Sequence, residues 1–436
     1  MRIIVIGAGI IGLTTAYYLS HEGHSVTVVD SGEGAGQRTS KANGAQLSYS
    51  FVSPLADPGI LPKLPSWLLD RNSPLSFRLK ADVEQWRWLF AFLKACRASK
   101  AQRTTAELLQ LGMYSRELVH ELVQKERPSF QFESSGKLLV YQDAKSFAGA
   151  QAQMAYQASL GCSQTLLTPR ECLEREPALE AIGGTIAGGI FTPTEDAGDC
   201  LQLCVELERI MRSGPKPVTF LYRTTVENLR GEGGRIVGLH TSQGDITADD
   251  YVIANGIGAQ RLARQVGINP YVYPLKGYSL TYELGPDSQA PRTSVSDLRN
   301  KVVYARLGNR LRVAGMVDIG DTTASIAPHR IASLRENVRT FLPHLNPAGE
   351  PEAWAGLRPA RPDGKPIIGA TRFRNLWLNV GHGALGFTLA AGSAGLLADQ
   401  IAGRPARIPA SVFGLQGAGG ETSSSESRKN ARRSAA

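Results

Sequence analysis

Cysteine is scarce in this chain, with five in 436 residues. The number is odd and the spacing is wide, which argues against a disulfide framework, and no further ligands lie close enough in sequence to complete a zinc site. We therefore expect no metal centre, a reducing compartment, and five small apolar core residues: Cys96, Cys162, Cys172, Cys200 and Cys204.

Other absences narrow the class of protein. The sequence has no zinc-finger spacing, aromatic–basic stripe or other nucleic-acid motif, so we expect no nucleic-acid partner. The first twenty residues are apolar, but glycines interrupt them at Gly7, Gly9 and Gly12. We interpret them as strand, turn and helix, not as a signal peptide or a membrane-spanning segment.

The composition is that of a globular protein, with 42% hydrophobic and 20% charged residues. A chain of this length is too long for one compact core, so we expect two domains. The formal net charge is +9. A solvated basic surface accounts for this charge, and the alternative is attraction to an anionic membrane surface.

The hydrophobic pattern predicts a mixed α/β protein that opens with a βαβ unit, formed by a β-branched run at residues 3–6, a helix to about residue 20 and a strand at 26–29. The remaining pattern predicts loop from 31 to 75, helices within 82–123 and 199–211, a strand at 136–141, a β-meander over 218–255, an antiparallel sheet over 271–320, helices at 331–341 and 386–402, and a disordered tail.

The glycine turn after the first strand has the pattern G-x-G-x-x-G at Gly7, Gly9 and Gly12. Such a turn, between a strand and a helix, binds the pyrophosphate of a dinucleotide at the helix N-terminus. Asp30 ends the second strand and can accept a hydrogen bond from a ribose hydroxyl, and its charge disfavours NADP. The alternative is an ordinary glycine turn, which does not explain why a strand precedes the turn, a helix follows it and a second strand ends in Asp30.

FAD and NAD both carry an ADP moiety, so the fingerprint alone does not separate them. FAD is favoured because the fingerprint stands at the N-terminus with no second nucleotide unit, and because a later strand, 251–254, runs into Asn255 and Gly256. From this part of the chain we expect the cofactor to be contacted by Ile6, Gly7, Ala8, Gly9, Ile10, Ile11, Gly12, Asp30, Ser31, Ser40, Asn43, Gly44, Val226, Asn255 and Gly256.

A second informative region extends from residue 354 to 395. It contains a Pro-Asp-Gly turn and a Gly-His-Gly loop that precedes the last helix, where backbone N–H groups can face an electron-rich ring. The alternative is a glycine-rich helix start without a ligand. From this region we expect Gly381, Gly383, Leu385, Gly386 and Thr388 to contact the cofactor.

Six segments resemble the D-amino-acid dehydrogenase small subunit, within the wider D-amino-acid oxidase and glycine oxidase superfamily: VIGAGIIGLTTAYYL, SKANGAQLSYSFVSPLADPG, VYPLKGYSLT, NRLRVAGM, GLRPARPDGKPIIGATRF and NLWLNVGHGALGFTLAAGS. The resemblance implies a Rossmann-like FAD-binding domain (1–50, 186–270 and 356–412), an antiparallel-sheet substrate domain (51–185 and 271–355) and a disordered tail (413–436).

The resemblance also implies oxidative deamination of D-amino acids, with electrons passed to a quinone or another non-oxygen acceptor. The implied location is the cytoplasm, either free or peripheral on the inner face of the cytoplasmic membrane. One segment departs from the family pattern, because residues 41–51 lack the usual aromatic before Ala-Asn. The identity of the amino acid therefore stays open.

Several side chains are candidates for binding a D-amino acid. A substrate carboxylate is best held by a bidentate arginine, and Arg358, in the Leu-Arg-Pro segment, is the first candidate. Arg306 is the second, whereas Arg310 and Arg312 are expected to be solvated. The further candidates at the site are Tyr278, Tyr49 and His382, each of which has a packing role as its alternative.

No general base is required, because a neutral amine can lose its α-hydride directly to flavin N5. No cysteine follows Cys204, so a thioether from the C-terminal loops is excluded and we predict non-covalent FAD. The alternatives are a related flavoenzyme for hydroxy-D-proline, D-proline, sarcosine or glycine, acting alone or as a subunit of a complex, a flavin-binding assembly subunit without turnover, and an NAD-dependent dehydrogenase.

Overall fold

The structure is a computed structural model that describes residues 1–63 and 73–415. Its strands are β1 Arg2–Ile6, β2 Ser25–Val29, β3 Gln46–Leu47, β4 Leu75–Phe77, β5 Lys137–Tyr141, β6 Thr165–Leu167, β7 Gly188–Thr192, β8 Asp196–Ala197, β9 Thr219–Leu221, β10 Val226–Glu232, β11 Arg235–Thr241, β12 Gly244–Ile246, β13 Asp250–Ile253, β14 Tyr273–Glu283, β15 Ser294–Asp297, β16 Val302–Leu307, β17 Arg310–Ile319, β18 Glu352–Ala360, β19 Ile367–Ala370 and β20 Leu376–Val380.

The α-helices are α1 Ile10–His21, α2 Val83–Ala95, α3 Ala98–Glu126, α4 Ala144–Ser159, α5 Pro169–Arg175, α6 Cys200–Ser213, α7 Gly258–Gln265, α8 Pro328–Phe341 and α9 Gly386–Ile401. Most of the predicted tail, residues 416–436, lies outside the described residues. Phe413, at the predicted start of that tail, is instead fully buried in the core.

The predicted βαβ opening forms the centre of a six-stranded sheet with the order β19-β20-β13-β1-β2-β9. All neighbours are parallel except β19 and β20. The β-branched run of β1 is buried because strands flank it on both sides and helices α1 and α9 pack over the sheet. The predicted mixed α/β class with a Rossmann-like part is confirmed.

A second sheet of nine strands follows the order β18-β14-β17-β16-β15-β5-β7-β6, with β4 paired to β17. It is antiparallel except for the pairs β5–β15 and β4–β17. On one face, Tyr304 stacks on Phe341 of α8, with ring centroids 4.9 Å apart. The opposite face meets the nucleotide-binding part, so substrate and cofactor residues converge between the two sheets.

The predicted domain boundaries do not coincide with the edges of the two sheets. Strand β7 pairs with β5 and β6 in the large sheet, although it lies within the predicted FAD-binding segment that begins at 186. Strand β18 crosses the boundary at 356 and pairs along its whole length with β14. The division into domains itself stays a prediction.

Within the described residues, one helical segment, Gly383–Ile401, is long and apolar enough to span a membrane. Its apolar window is 67% buried inside the protein, as expected of a core helix. Cys200 and Cys204 of α6 are also buried in the core, as predicted.

Candidate active site

The glycine loop brings β1, α1 and β13 into close contact. A methyl group at Gly12 would overlap the carbonyl oxygen of Gly7, and one at Gly7 would lie 2.7 Å from the carbonyl oxygen of Ala254. At Gly9 the same group would meet only Ser40 Oγ, at 3.5 Å. Gly7 and Gly12 are therefore required by packing, whereas Gly9 leaves open space where a pyrophosphate would approach.

The N-cap residue of α1 is Gly9, which has no side chain to accept a hydrogen bond from the first turn. Ser40 Oγ accepts a hydrogen bond from the Ile10 N–H at 3.0 Å. The first turn of the helix keeps the positive end of its dipole directed at the loop. This arrangement fits a phosphate group.

Other predicted cofactor residues converge on the same loop. Asp30 Oδ2 accepts from the Ala8 N–H at 2.8 Å, and the Asp30 carbonyl accepts from the Thr224 N–H, which brings Val226 beside β2. Asn255 Oδ1 is buried and has no hydrogen-bond partner within the part of the chain that the structure describes. Ser31, in contrast, is exposed and accepts from Arg38.

The segment 39–48 connects this loop to the large sheet. Thr39 Oγ1 donates to the Leu357 carbonyl at 2.8 Å, and Ser279 Oγ donates to the Ala42 carbonyl at 2.7 Å. Gly44 lies against the large sheet, since a methyl group there would be 3.3 Å from Val303. The segment that follows Ser40 therefore lies between the two sheets.

The same segment reaches the last helix, because the Ser48 N–H donates to Thr388 Oγ1 at 3.0 Å. The Gly381–Gly383 turn meets the end of β18, where Ala360 and His382 form an isolated β-bridge. The two predicted cofactor regions, far apart in sequence, are thus joined at the strand that carries Arg358.

Arg358 lies on the face of β18 that meets the nucleotide-binding part. Its guanidinium group lies over Gly277 of β14, where any side chain would collide with it. Burial lowers the pKa of this guanidinium to about 10, and no carboxylate within residues 1–63 and 73–415 pairs with it. The residue is half-buried. Removing a charge even partly from water without a counter-ion is costly, so the position favours an anionic ligand.

Arg358 donates a hydrogen bond to a carbonyl whose residue has an unusual backbone conformation. Nη1 of Arg358 donates to the Met316 carbonyl at 3.2 Å. Met316 has φ = 62°, in the left-handed region, at an irregularity in the pairing of β14 and β17. Strain of this kind costs roughly 1–3 kcal/mol and is retained where the surrounding structure requires it. Here the bulge directs a carbonyl at the guanidinium.

Tyr278 and Arg306 do not share this site. Side chains alternate along a strand, so Tyr278 faces away from its neighbour Gly277, and its hydroxyl donates to Asp318 at 2.7 Å. Arg306 pairs with Leu311, which belongs to the core beneath α8, and its Nε donates to the Gly308 carbonyl. Both residues therefore lie on the face opposite Gly277 and are not brought together with Arg358, and their contact with the substrate stays a prediction.

Tyr49 and His382 are both buried. Tyr49 is fully buried in the core that includes α3, and burial raises the pKa of its hydroxyl. His382 Nε2 lies 2.9 Å from Ser393 Oγ of α9, and burial lowers the pKa of its imidazole to about 3. His382 is therefore a neutral side chain directed into the helix, and its contact with the flavin or the substrate stays a prediction.

Sequence reasoning missed that Arg312 is a buried cation on this sheet. Arg312, expected to be solvated, is buried, and its Nη1 donates to the Asn43 carbonyl at 2.9 Å. Arg310 is paired with Asp199 at 2.9 Å. Arg312 is paired across strands with Thr281, which alternation places on the Gly277 face, so Arg312 lies on the same face of the sheet as Arg358. The sequence of β17 shows the alternation of its side chains. It does not show that the face carrying Arg312 is covered by segment 39–48.

The observed geometry fits FAD. The glycine loop and α1 would hold the pyrophosphate, Asp30 the ribose, and segment 39–48 together with Gly381–Thr388 would enclose the flavin between the sheets. The N-terminus of α1 and the unpaired Asn255 Oδ1 are the features that a bound dinucleotide would satisfy.

Residues 2–400 match the sequence profile of a family described as FAD dependent oxidoreductase. The chain belongs to that family. It is 47% identical to D-amino acid dehydrogenase 2 of Ralstonia nicotianae, over 95% of this chain and 100% of that protein. It is 43% identical to D-amino acid dehydrogenase 2 of Pseudomonas aeruginosa, over 93% and 96%.

Among solved structures, glycine oxidase from Geobacillus kaustophilus matches with a TM-score of 0.76 at 20% identity, over 95% of this chain and 98% of that one. This likeness supports the fold. The family match and the dehydrogenase relatives make the chain an FAD-dependent oxidoreductase, and the predicted resemblance is confirmed.

Proposed function

We propose that this protein oxidatively deaminates D-amino acids to 2-oxo acids and ammonia. The observation that carries the proposal is Arg358, a half-buried guanidinium with no protein carboxylate against it in the described residues, on the sheet face that meets the cofactor-binding part. The names of the two dehydrogenase relatives support a D-amino acid as the source of the carboxylate.

The side chain of Arg358 binds and orients the substrate. Its planar fork matches a carboxylate bidentately, and the Met316 carbonyl fixes one edge of the fork. With the carboxylate held, the direction of the Cα–H bond is set by the chirality of the substrate. Arg358 stays protonated at neutral pH, because its lowered pKa is still about 10.

The residues of the glycine loop and of the segments 39–48 and 381–388 would hold FAD non-covalently, and FAD would supply the acceptor for the hydride that leaves Cα. No acid or base from the chain is needed for that transfer when the amine is neutral, and the resulting imino acid takes up water and releases ammonia. The protein contributes orientation and, from Arg358, a positive charge at the carboxylate.

We propose further that the electrons leave to a quinone or another non-oxygen acceptor, and that the protein acts in the cytoplasm, at the inner face of the membrane. The relatives are called dehydrogenases, which supports an acceptor other than oxygen. The net charge of +9 supports attraction to an anionic surface.

Anaerobic reduction of the flavin tests the reaction. D-Alanine should bleach the yellow holoprotein, while L-alanine should not. Equal bleaching by both enantiomers would contradict the proposal. Bleaching by sarcosine, glycine or D-proline alone would establish the alternative substrate class, which the departure at residues 41–51 keeps open. Acid precipitation should release the flavin into solution, whereas flavin retained in the pellet would show covalent attachment.

A further inference from the structure

Helix α2 has two apolar faces. Trp88, Phe92 and Ala95 are buried and pack on the large sheet and the segments around it. On the opposite side, Val83, Trp86, Phe90 and Leu93 follow a spacing of three and four residues and form one stripe, which we call the outer stripe. Val83 is 63% exposed and Phe90 61%.

The outer stripe is unusual for a surface helix. Single exposed apolar residues are common, but a contiguous row that includes two aromatics marks a surface that binds something apolar. Leu79, which is 51% exposed, precedes the helix and adds to the apolar surface at its N-terminal end. No element of residues 1–63 and 73–415 covers the row.

The charges around the outer stripe are mainly positive. Five exposed basic residues lie within or next to α2: Arg78, Lys80, Arg87, Lys94 and Arg97. Two acidic residues occur between Arg78 and Arg97, and both are already engaged. Asp82 caps the helix by accepting from the Glu84 N–H, and Glu84 is paired with Arg87 and Arg264.

The inner face of α2 connects the outer stripe to the active site. Trp88 Nε1 donates to the Ala360 carbonyl at 3.0 Å, and its ring lies 5.9 Å from that of Tyr273. Ala360 follows Arg358 by two residues on β18. One helix, roughly 10 Å in diameter with its side chains, therefore separates the outer stripe from the strand that holds the substrate.

We propose that the outer stripe of α2 is the surface through which this protein docks on an anionic lipid bilayer. The apolar row would enter the headgroup boundary, Trp86 would sit at the interface, and Arg87 and Lys94, at the edge of the row, would meet lipid phosphates. A second copy of the chain fits less well, because two such surfaces would bring their basic residues together.

This inference rests on the proposed function, because a membrane quinone would be the acceptor reached from this surface. Its test does not require turnover. The full-length holoprotein is sedimented with vesicles of phosphatidylglycerol and phosphatidylcholine, and separately with phosphatidylcholine vesicles alone. We expect binding to the anionic vesicles, weaker binding to the neutral ones, and release as salt is raised.

Phe90→Asp should lower the partition coefficient on anionic vesicles by about tenfold or more, since it places a charge within the row. Val205→Asp is the matched control, because Val205 is also an exposed apolar helix residue, at 50% exposure, and is expected to bind as wild type. Reduction of a vesicle-borne quinone by the substrate should fall with binding in Phe90→Asp, while reduction of a soluble dye should not.

Three outcomes would overturn the proposal. They are absence of wild-type binding to anionic vesicles, equal binding by Phe90→Asp and wild type, and a concentration-dependent dimer that Phe90→Asp abolishes. Failure of the dye assay in all variants, with vesicle binding intact, would instead count against the deamination reaction alone.

Discussion

At the glycine loop, the groups that face a ligand belong to the backbone of one contiguous segment, whereas at Arg358 they come from three strands that are far apart in sequence. Gly7, Gly9 and Gly12 act by having no side chain. Around Arg358, β18 supplies the cation, β14 the flat surface at Gly277 and β17 the Met316 carbonyl. Damage to the first region should remove the cofactor, and damage to the second should spare it.

The largest effect is expected within the glycine loop. Gly12→Ala should lower the free energy of unfolding by about 3 kcal/mol or more, because the added methyl overlaps the Gly7 carbonyl. Gly9→Ala should fold normally but lose FAD, because only the ligand would contact its methyl group closely. Thermal melting and flavin content separate the two, and equal FAD retention in Gly9→Ala and wild type would remove the pyrophosphate from this loop.

Arg358→Lys tests the other region. It keeps the charge but loses the planar fork, so kcat/KM should fall by roughly thirtyfold to a few thousandfold, corresponding to about 2–5 kcal/mol. FAD content and melting temperature should stay near wild type. Arg306→Lys is the matched control on the opposite face and should leave kcat/KM unchanged. A larger loss in Arg306→Lys than in Arg358→Lys would reverse the assignment.

Met316 tests whether the site around Arg358 also depends on backbone conformation, as the glycine loop does. Met316→Val should lower kcat/KM by roughly ten- to a hundredfold, since a β-branched residue does not adopt φ = 62° and the carbonyl would move away from Arg358. Met316→Gly adopts this φ freely, so the folded fraction should keep nearly normal kinetics. If the methionine side chain itself were required, Met316→Gly would lower kcat/KM more than Met316→Val.

The smallest effect concerns His382 and depends on pH. Its imidazole has a pKa of about 3 in the folded protein and 6.5 as its ordinary value, so the unfolded chain binds a proton that the native protein does not. His382 therefore costs stability as pH falls from 6.5 toward 3, by at most about 1.4 kcal/mol per unit. His382→Gln should flatten this slope in melting curves, and parallel slopes would contradict the buried neutral state.

The difference between the two regions also explains what the sequence revealed. The βαβ unit and its loop could be predicted because contiguous glycines and β-branched residues specify them locally. Alternation along β14 and β16 indicates which residues share a face, but not which face meets the cofactor-binding part. The sequence therefore did not show that Tyr278 and Arg306 lie on the face opposite Arg358. Nothing in the sequence marks Met316, since methionine gives no signal for a left-handed backbone.

The order of strands in the six-stranded sheet has a consequence for synthesis of the chain. β1, made first, lies between β2 and β13, and the next neighbour, β20, ends only at Val380. At ribosomal rates of roughly 5–20 residues per second, β1 waits on the order of 20–75 s for this sheet to be completed. The cofactor site therefore forms late in translation, and nascent chains that end before β20 present β13 as an unpaired edge.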